Sequence, residues 1–99
     1  MEASIQELKK REAAGEQDYV LLDVREDYER TEFNIGGLHV PLGQLTMSLD
    51  KLLPHKDDEL IIYCRSGKRS AMAQELLRQS GFTNVRNLEG GMITYQNAQ

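Results

Sequence analysis

The residues best equipped for chemistry form one short run: Cys64, Arg65, Ser66, Gly67, Lys68, Arg69 and Ser70. They follow the apolar stretch Leu60-Ile61-Ile62-Tyr63 and precede a helical pattern of Ala71, Met72, Ala73, Leu76 and Leu77. Cys64, the single cysteine of the chain, falls where a strand should stop. Successive backbone N–H groups in such a loop, with the first turn of the following helix, can converge on one spot and favour negative charge there. Arg65, Lys68 and Arg69 add three cations within five residues. A thiol in that setting is biased toward thiolate, the nucleophilic form. A lone cysteine behind an apolar strand can also be a small buried hydrophobe, and the local pattern leaves both readings open.

The loop is not a nucleotide P-loop. Gly67-Lys68 is followed by Arg69 rather than Ser or Thr, and Ile62 holds the place of the upstream glycine. The six residues from Cys64 to Arg69 between a strand and a helix instead resemble the active-site loop of rhodanese-type sulfurtransferases. Three further segments stand in that family's order: Leu21-Leu22-Asp23-Val24-Arg25, then Ile35-Gly36-Gly37-Leu38-His39-Val40-Pro41-Leu42, then Gly81-Phe82-Thr83-Asn84-Val85 with Leu88-Glu89-Gly90-Gly91-Met92. Together they span nearly the whole chain. The resemblance implies one rhodanese-like domain over residues 1–99. It also implies a three-layer α/β/α sandwich around a mostly parallel sheet of four to five short strands.

The elements that must position the loop can be read in order. Ser4 with Glu7 makes a capping box for a first helix, Ile5 and Leu8 its apolar stripe, and Gly15 its end. Tyr19 to Val24 is a short apolar run suited to a strand covered on both faces. Asp23 near its end, with Arg25, falls at the sheet edge that should also carry Cys64, where the two can pair with each other. Glu26, Asp27 and Glu29 form an acidic first turn of a short helix. Leu38-His39-Val40 is a brief strand behind Gly36-Gly37. Leu42, Leu45, Leu49, Leu52 and Leu53 fit one amphipathic helix stopped by Pro54. The helix after the loop ends at Gly81. Asn84 to Leu88 is a weak strand required by topology, and Met92, Ile93 and Tyr95 belong to a terminal helix. Met47, Met72 and Met92 are expected to fill gaps in the core. Helices alternating with strands throughout indicate an α/β fold with a parallel sheet.

Composition narrows the function classes. The chain has 99 residues, enough for one domain, with 39% hydrophobic and 28% charged residues. A net charge of -4 argues against general nucleic-acid binding. One cysteine excludes an internal disulfide, a Cys-rich zinc site and a self-contained dithiol cycle. His39 and His55 lack neighbours at ligand spacing, so neither metal nor other cofactor is expected. No stretch reaches the ~18 apolar residues of a membrane span. Met1-Glu2-Ala3 has no signal-peptide character, so a cytoplasmic setting is expected. Those three residues alone remain to supply the family's small first strand, as in a domain cut from a longer protein or built with a minimal edge.

By the resemblance, Cys64 accepts sulfane sulfur and holds it as a persulfide. Backbone N–H groups between Arg65 and Ser70 would stabilise that anion. Arg65, Arg69 and Lys68 would attract an anionic donor. Ser66 and Ser70 could offer hydroxyls, Ser70 being placed to cap the helix. Asp23 and Arg25 would support the site. Asn34 stands where the family usually has histidine, so that histidine's role does not carry over. The implied partners are a small anionic sulfur donor such as thiosulfate, a cysteine desulfurase or a ubiquitin-like sulfur carrier. The last would suit a relay domain of molybdopterin or thiamine biosynthesis. Cdc25-like phosphatases and arsenate reductases, a related alternative, carry a longer Cys-x5-Arg loop, whereas Ser70 stands where their arginine would be needed. A non-catalytic docking module, the remaining alternative, would be marked by loss of the cysteine.

Overall fold

A computed structural model describes residues 2–98. Met1, part of the segment expected to form an edge strand, lies outside them. The elements run α1 (Ile5–Ala13), β1 (Val20–Asp23), α2 (Asp27–Glu32), β2 (Leu38–His39), α3 (Leu49–Leu52), β3 (Leu60–Tyr63), α4 (Lys68–Gln79), β4 (Val85–Asn87) and α5 (Gly91–Asn97). The four strands lie in the order β2-β1-β3-β4, all pairs parallel. Ala3 adds an isolated parallel bridge to Leu88, which among the described residues is all that appears of a fifth strand. Asp23 is in register with both His39 and Tyr63, and Ile62 with Asn87. The carboxyl ends of the strands therefore form one crest, and Cys64 follows directly on the central strand.

Strand β3 is buried along its whole length, and its period of two sorts the core into two layers. Leu60, Ile62 and Cys64 pack with Leu22, Leu45, Leu52, Ala73, Leu77 and Phe82 on the α4 side. Ile61 and Tyr63 pack with Ile5, Leu8, Leu88 and Met92 on the side of α1 and α5. This is the α/β sandwich that the alternating elements imply. Among the described residues no helix is long and apolar enough to cross a membrane.

Local chemistry fixes the helix ends. Ser4 Oγ accepts the Glu7 N–H at 3.0 Å, as a cap should. The Glu7 carboxylate does not complete a capping box; Arg86 holds both of its oxygens. Helix α4 stops at Gly81, with φ +94°, through bonds from Gly81 N–H to Arg78 C=O and from Phe82 N–H to Leu77 C=O. Phe82 then packs back beside Leu77, the apolar contact that accompanies this termination.

Two expectations need correction. The leucine repeat from Leu42 to Leu53 is not one helix: it breaks into 3-10 turns at Leu42–Gln44 and Thr46–Ser48, the single turn α3, and a further 3-10 turn at Leu53–His55. Gly43, Thr46 and Ser48 are weak helix formers, and Pro54 lacks an N–H, so segments that still bury Leu45 and Leu52 are sufficient. Leu53 is left exposed. The methionines also divide. Met92 is buried, but Met47 and Met72 are 80% and 60% exposed. The inner face of α4 follows Ser70, Ala73, Gln74 and Leu77, at helical spacing, which turns Met72 outward.

Candidate active site

The loop between β3 and α4 wraps the Cys64 sulfur. Gly67 has φ +98°, a conformation open to glycine, and it acts as the N-cap of α4. That turn directs the Gly67 N–H at Sγ from 3.0 Å and the Ser70 N–H from 3.4 Å, and the Ser66 N–H adds a third backbone bond. The Ser70 hydroxyl lies 3.4 Å from Sγ. Burial pushes the thiol up, but the backbone N–H groups and the Ser70 hydroxyl beside the sulfur outweigh it and leave the Cys64 pKa below the ordinary thiol value of 9.0.

The far side of the loop is held by α5. Met92 N–H donates to the Cys64 carbonyl at 2.9 Å and Ile93 N–H to the Arg65 carbonyl at 3.0 Å. With these carbonyls anchored, the loop's N–H groups are left facing inward. Gly91 permits the approach. It has φ +56°, and a Cβ there would run into the carbonyl oxygens of Cys64 and Arg65.

The cations divide in an unexpected way. Arg65 and Lys68 are exposed, and among the described residues no acceptor meets either side chain. Arg69 instead makes a two-pronged pair with Glu29, Nη1 to Oε1 at 2.7 Å and Nη2 to Oε2 at 2.8 Å. Its guanidinium is thus committed to α2 rather than offered to a ligand. The Arg69 bonds hold the Glu29 carboxyl down at about 2, although burial works in the opposite direction. Glu29 Oε1 also accepts the Glu26 N–H at the start of α2.

Asp23 and Arg25 pair with each other: Asp23 Oδ1 takes the Arg25 N–H and Nε–H, and Oδ2 takes Nη2, each at 2.9 Å. Arg25 further donates to the Phe33 carbonyl and lies over the Tyr63 ring. The pair braces the crest beside the loop without bonding Cys64. Asn34, in the place of the family's usual histidine, makes a turn: its Nδ2 donates to Arg30 C=O and its Oδ1 accepts the Gly36 N–H.

Ser70 does not cap α4. It lies in the helix's first turn, fully buried, and donates its proton to Asn87 Oδ1. Access to the sulfur is restricted. Cys64 is fully buried, because the backbone that supplies three N–H donors must close around the atom it serves. Beside the loop, α2 and α5 border a cleft of about 580 Å³ lined by Arg65, Arg25, Tyr28, Phe33 and Ile93.

Sequence reasoning missed Glu29, Asn87 and Gly91 as parts of the site. Glu29 carried a visible signal only as one acid of a helical first turn. Gly91 carried one only in the Gly90-Gly91 pair. Asn87 lay in the strand with the weakest pattern.

Comparisons with known proteins agree with the geometry. The chain is 38% identical over 96 residues to YtwF of Bacillus subtilis strain 168, covering 96% of this chain and 89% of that protein. It is 35% identical over 83 residues to a sulfurtransferase of Allochromatium vinosum, covering 83% and 76%. The human single-domain sulfurtransferase TSTD1 superposes with a TM-score of 0.82 at 26% identity, covering 99% of this chain and 96% of that one. Other relatives are much longer: the chain spans 44% of a second Bacillus subtilis protein to which it is 36% identical. The Rhodanese-like domain family matches residues 4–98, which takes in the sheet, the cysteine loop and both helices that brace it, and the chain belongs to that family.

Proposed function

We propose that this rhodanese-like domain is a sulfurtransferase whose carrier is a persulfide on Cys64. One observation carries the reading: the chain's single thiol lies in a cradle of three N–H groups and a hydroxyl, with its pKa lowered despite burial. Such a cradle stabilises a sulfur anion, whether thiolate or persulfide. The Cys64 thiolate attacks the outer sulfur of a sulfane donor such as thiosulfate. A Cys64 S–S bond forms, the donor S–S bond breaks, and sulfite leaves with the bonding pair. A thiophilic acceptor then attacks the outer sulfur, the persulfide bond breaks, and Cys64 returns as thiolate. No electrons are exchanged with an outside agent.

Arg65 and Lys68 are the exposed charges that attract an anionic donor, and the cleft beside Arg65 is where donor or acceptor enters. Arg69 serves through Glu29 to hold the loop to α2. Asp23 and Arg25 brace the crest. A thiol that must return reduced after each cycle suits a cytoplasmic setting. The greater length of several relatives fits use of this domain within larger proteins, with a cysteine desulfurase or a ubiquitin-like carrier as physiological partner. The related phosphatase reading fares worse, since Arg69 pairs with Glu29 and position 70 is the buried Ser70.

The test is an intact mass after incubation with thiosulfate, with Cys64→Ser as control. A gain of one sulfur atom, removed by cyanide and absent from the variant, is the expected result. Hydrolysis of a phosphate ester without sulfur uptake would overturn the reading.

A further inference from the structure

The Ser70 hydroxyl has one proton and two acceptors within reach. Its Oγ donates to Asn87 Oδ1 and lies 3.4 Å from Cys64 Sγ. The orientation of the Asn87 amide is fixed, because its other end faces the Gly67 carbonyl at 3.1 Å, where only an NH₂ can donate. Oδ1 must therefore face Ser70. The Asn87 backbone is held as well, its N–H donating to Glu2 Oε1 at 3.1 Å. Ser70 and Asn87 are both buried, so water does not offer the hydroxyl an easy third partner.

We infer that Asn87 is a positioning residue for the Cys64 thiol, acting through Ser70 by competing with the sulfur for a single hydroxyl proton. With the thiol protonated, Cys64 S–H donates to Ser70 Oγ while Ser70 O–H donates to Asn87 Oδ1, and every proton is used. When the thiol loses its proton to solvent, the Ser70 hydroxyl turns to donate to the sulfur anion. Asn87 Oδ1 then gives up its donor. No proton passes to the amide, and only the direction of one O–H bond changes. Asn87 thus favours the thiol form and sets a limit on how far the rest of the cradle shifts the sulfur toward thiolate. The same turn of the hydroxyl would follow persulfide formation, which places the negative charge one atom farther away.

The surrounding charges do not supply this effect. From the loop and α4, Arg65 and Lys68 are exposed at the surface and Arg69 is paired with Glu29 of α2. At the end of β1, Arg25 is paired with Asp23. On β4, Arg86 reaches toward Glu7 and Glu59, and Glu89 is exposed before α5.

The inference concerns thiol ionisation, so it is tested without sulfur transfer, and it can fail while the sulfurtransferase reading holds. Thiolate absorbance is followed against pH, with Cys64→Ser subtracted. Asn87→Ala is expected to raise the thiolate-to-thiol ratio at fixed pH by about three- to tenfold, since the hydroxyl is freed for the sulfur. Ser70→Ala is expected to lower that ratio. In the Ser70→Ala background, adding Asn87→Ala should change nothing further. A shift of Asn87→Ala toward thiol, or an Asn87 effect of the same size without Ser70, overturns the proposal. If Asn87→Ala fails to fold, the wild-type protein serves: the Asn87 side-chain carbonyl carbon resonance should titrate with Cys64 and cease to do so in Ser70→Ala. A resonance that stays flat through the thiol titration overturns the proposal equally.

Discussion

Replacing Glu29 by glutamine tests how the loop is fastened to the rest of the fold. The Arg69 guanidinium meets both Glu29 oxygens, and this pair, helped by the Glu26 N–H and the nearby Arg25 charge, brings the carboxyl from 4.5 down to about 2. At about 1.4 kcal/mol for each pH unit of displacement, the charged carboxylate contributes about 3 kcal/mol. Arg69 is one-third exposed, so solvent screening reduces this toward about 2 kcal/mol. Between pH 4.5 and 2 the unfolded chain binds a proton at this group that the folded chain does not. The contribution is therefore complete above about 4.5 and is lost as the pH falls to about 2. Glutamine keeps the shape of the side chain and one acceptor oxygen but has no charge to lose. Urea unfolding of wild type and Glu29→Gln should differ by about 2 kcal/mol at neutral pH, and the gap should close on approaching pH 2. A gap that stays constant across that range, or one below about 0.5 kcal/mol at neutral pH, would refute the assignment.

Further outcomes follow from the same geometry. Gly91→Ala should cost about 2–4 kcal/mol in urea unfolding, because the added Cβ meets the Cys64 and Arg65 carbonyls at a φ of +56°. Gly43→Ala, with open space and no positive φ, should fall within about 0.5 kcal/mol of wild type. Arg65→Ala should raise KM for thiosulfate about three- to fivefold with kcat little changed, the difference shrinking at high salt as expected of an exposed charge. The rate of Cys64 alkylation should rise with pH to a midpoint below 9.0. It should also be markedly slower for bulky reagents than for small ones, since the residue is fully buried.

What was legible in the sequence was whatever local chemistry decides by itself. Ser4 and Gly81 mark helix ends because a hydroxyl cap and a left-handed glycine act within a few residues. The apolar runs into Asp23 and Tyr63 mark strands because burial on both faces leaves no alternation to misread. The loop was legible for the same reason, as its donors, its glycine and its sulfur are all close in sequence. The partners of Arg69 and Ser70 were not. Glu29 lies 40 residues from Arg69, and Asn87 lies 17 from Ser70. Spacing along the chain contains nothing about such pairs until the sheet order is known. The leucine repeat failed differently. Its spacing reported correctly that Leu45 and Leu52 face the core, but short 3-10 turns can satisfy that demand as well as one continuous helix.

The pairing of Arg69 bears most directly on how the site is organised. Three positive side chains beside a thiol suggest a site organised by charge. In the folded chain Arg69 is neutralised by Glu29, and the two cations left over lie at the surface, where solvent and salt weaken them. The stabilisation of the sulfur anion therefore rests on backbone N–H groups, which are fixed dipoles, and on one hydroxyl that can turn toward the sulfur, held within 3.4 Å and shielded from solvent. Dipoles suit a carrier better than a full charge would. A guanidinium in contact with sulfur would hold the thiolate strongly and resist its attack on a donor, whereas N–H groups stabilise thiolate and persulfide alike and release either. On the proposed function, the exposed Arg65 would draw the donor in while the buried cradle behind it holds the sulfur.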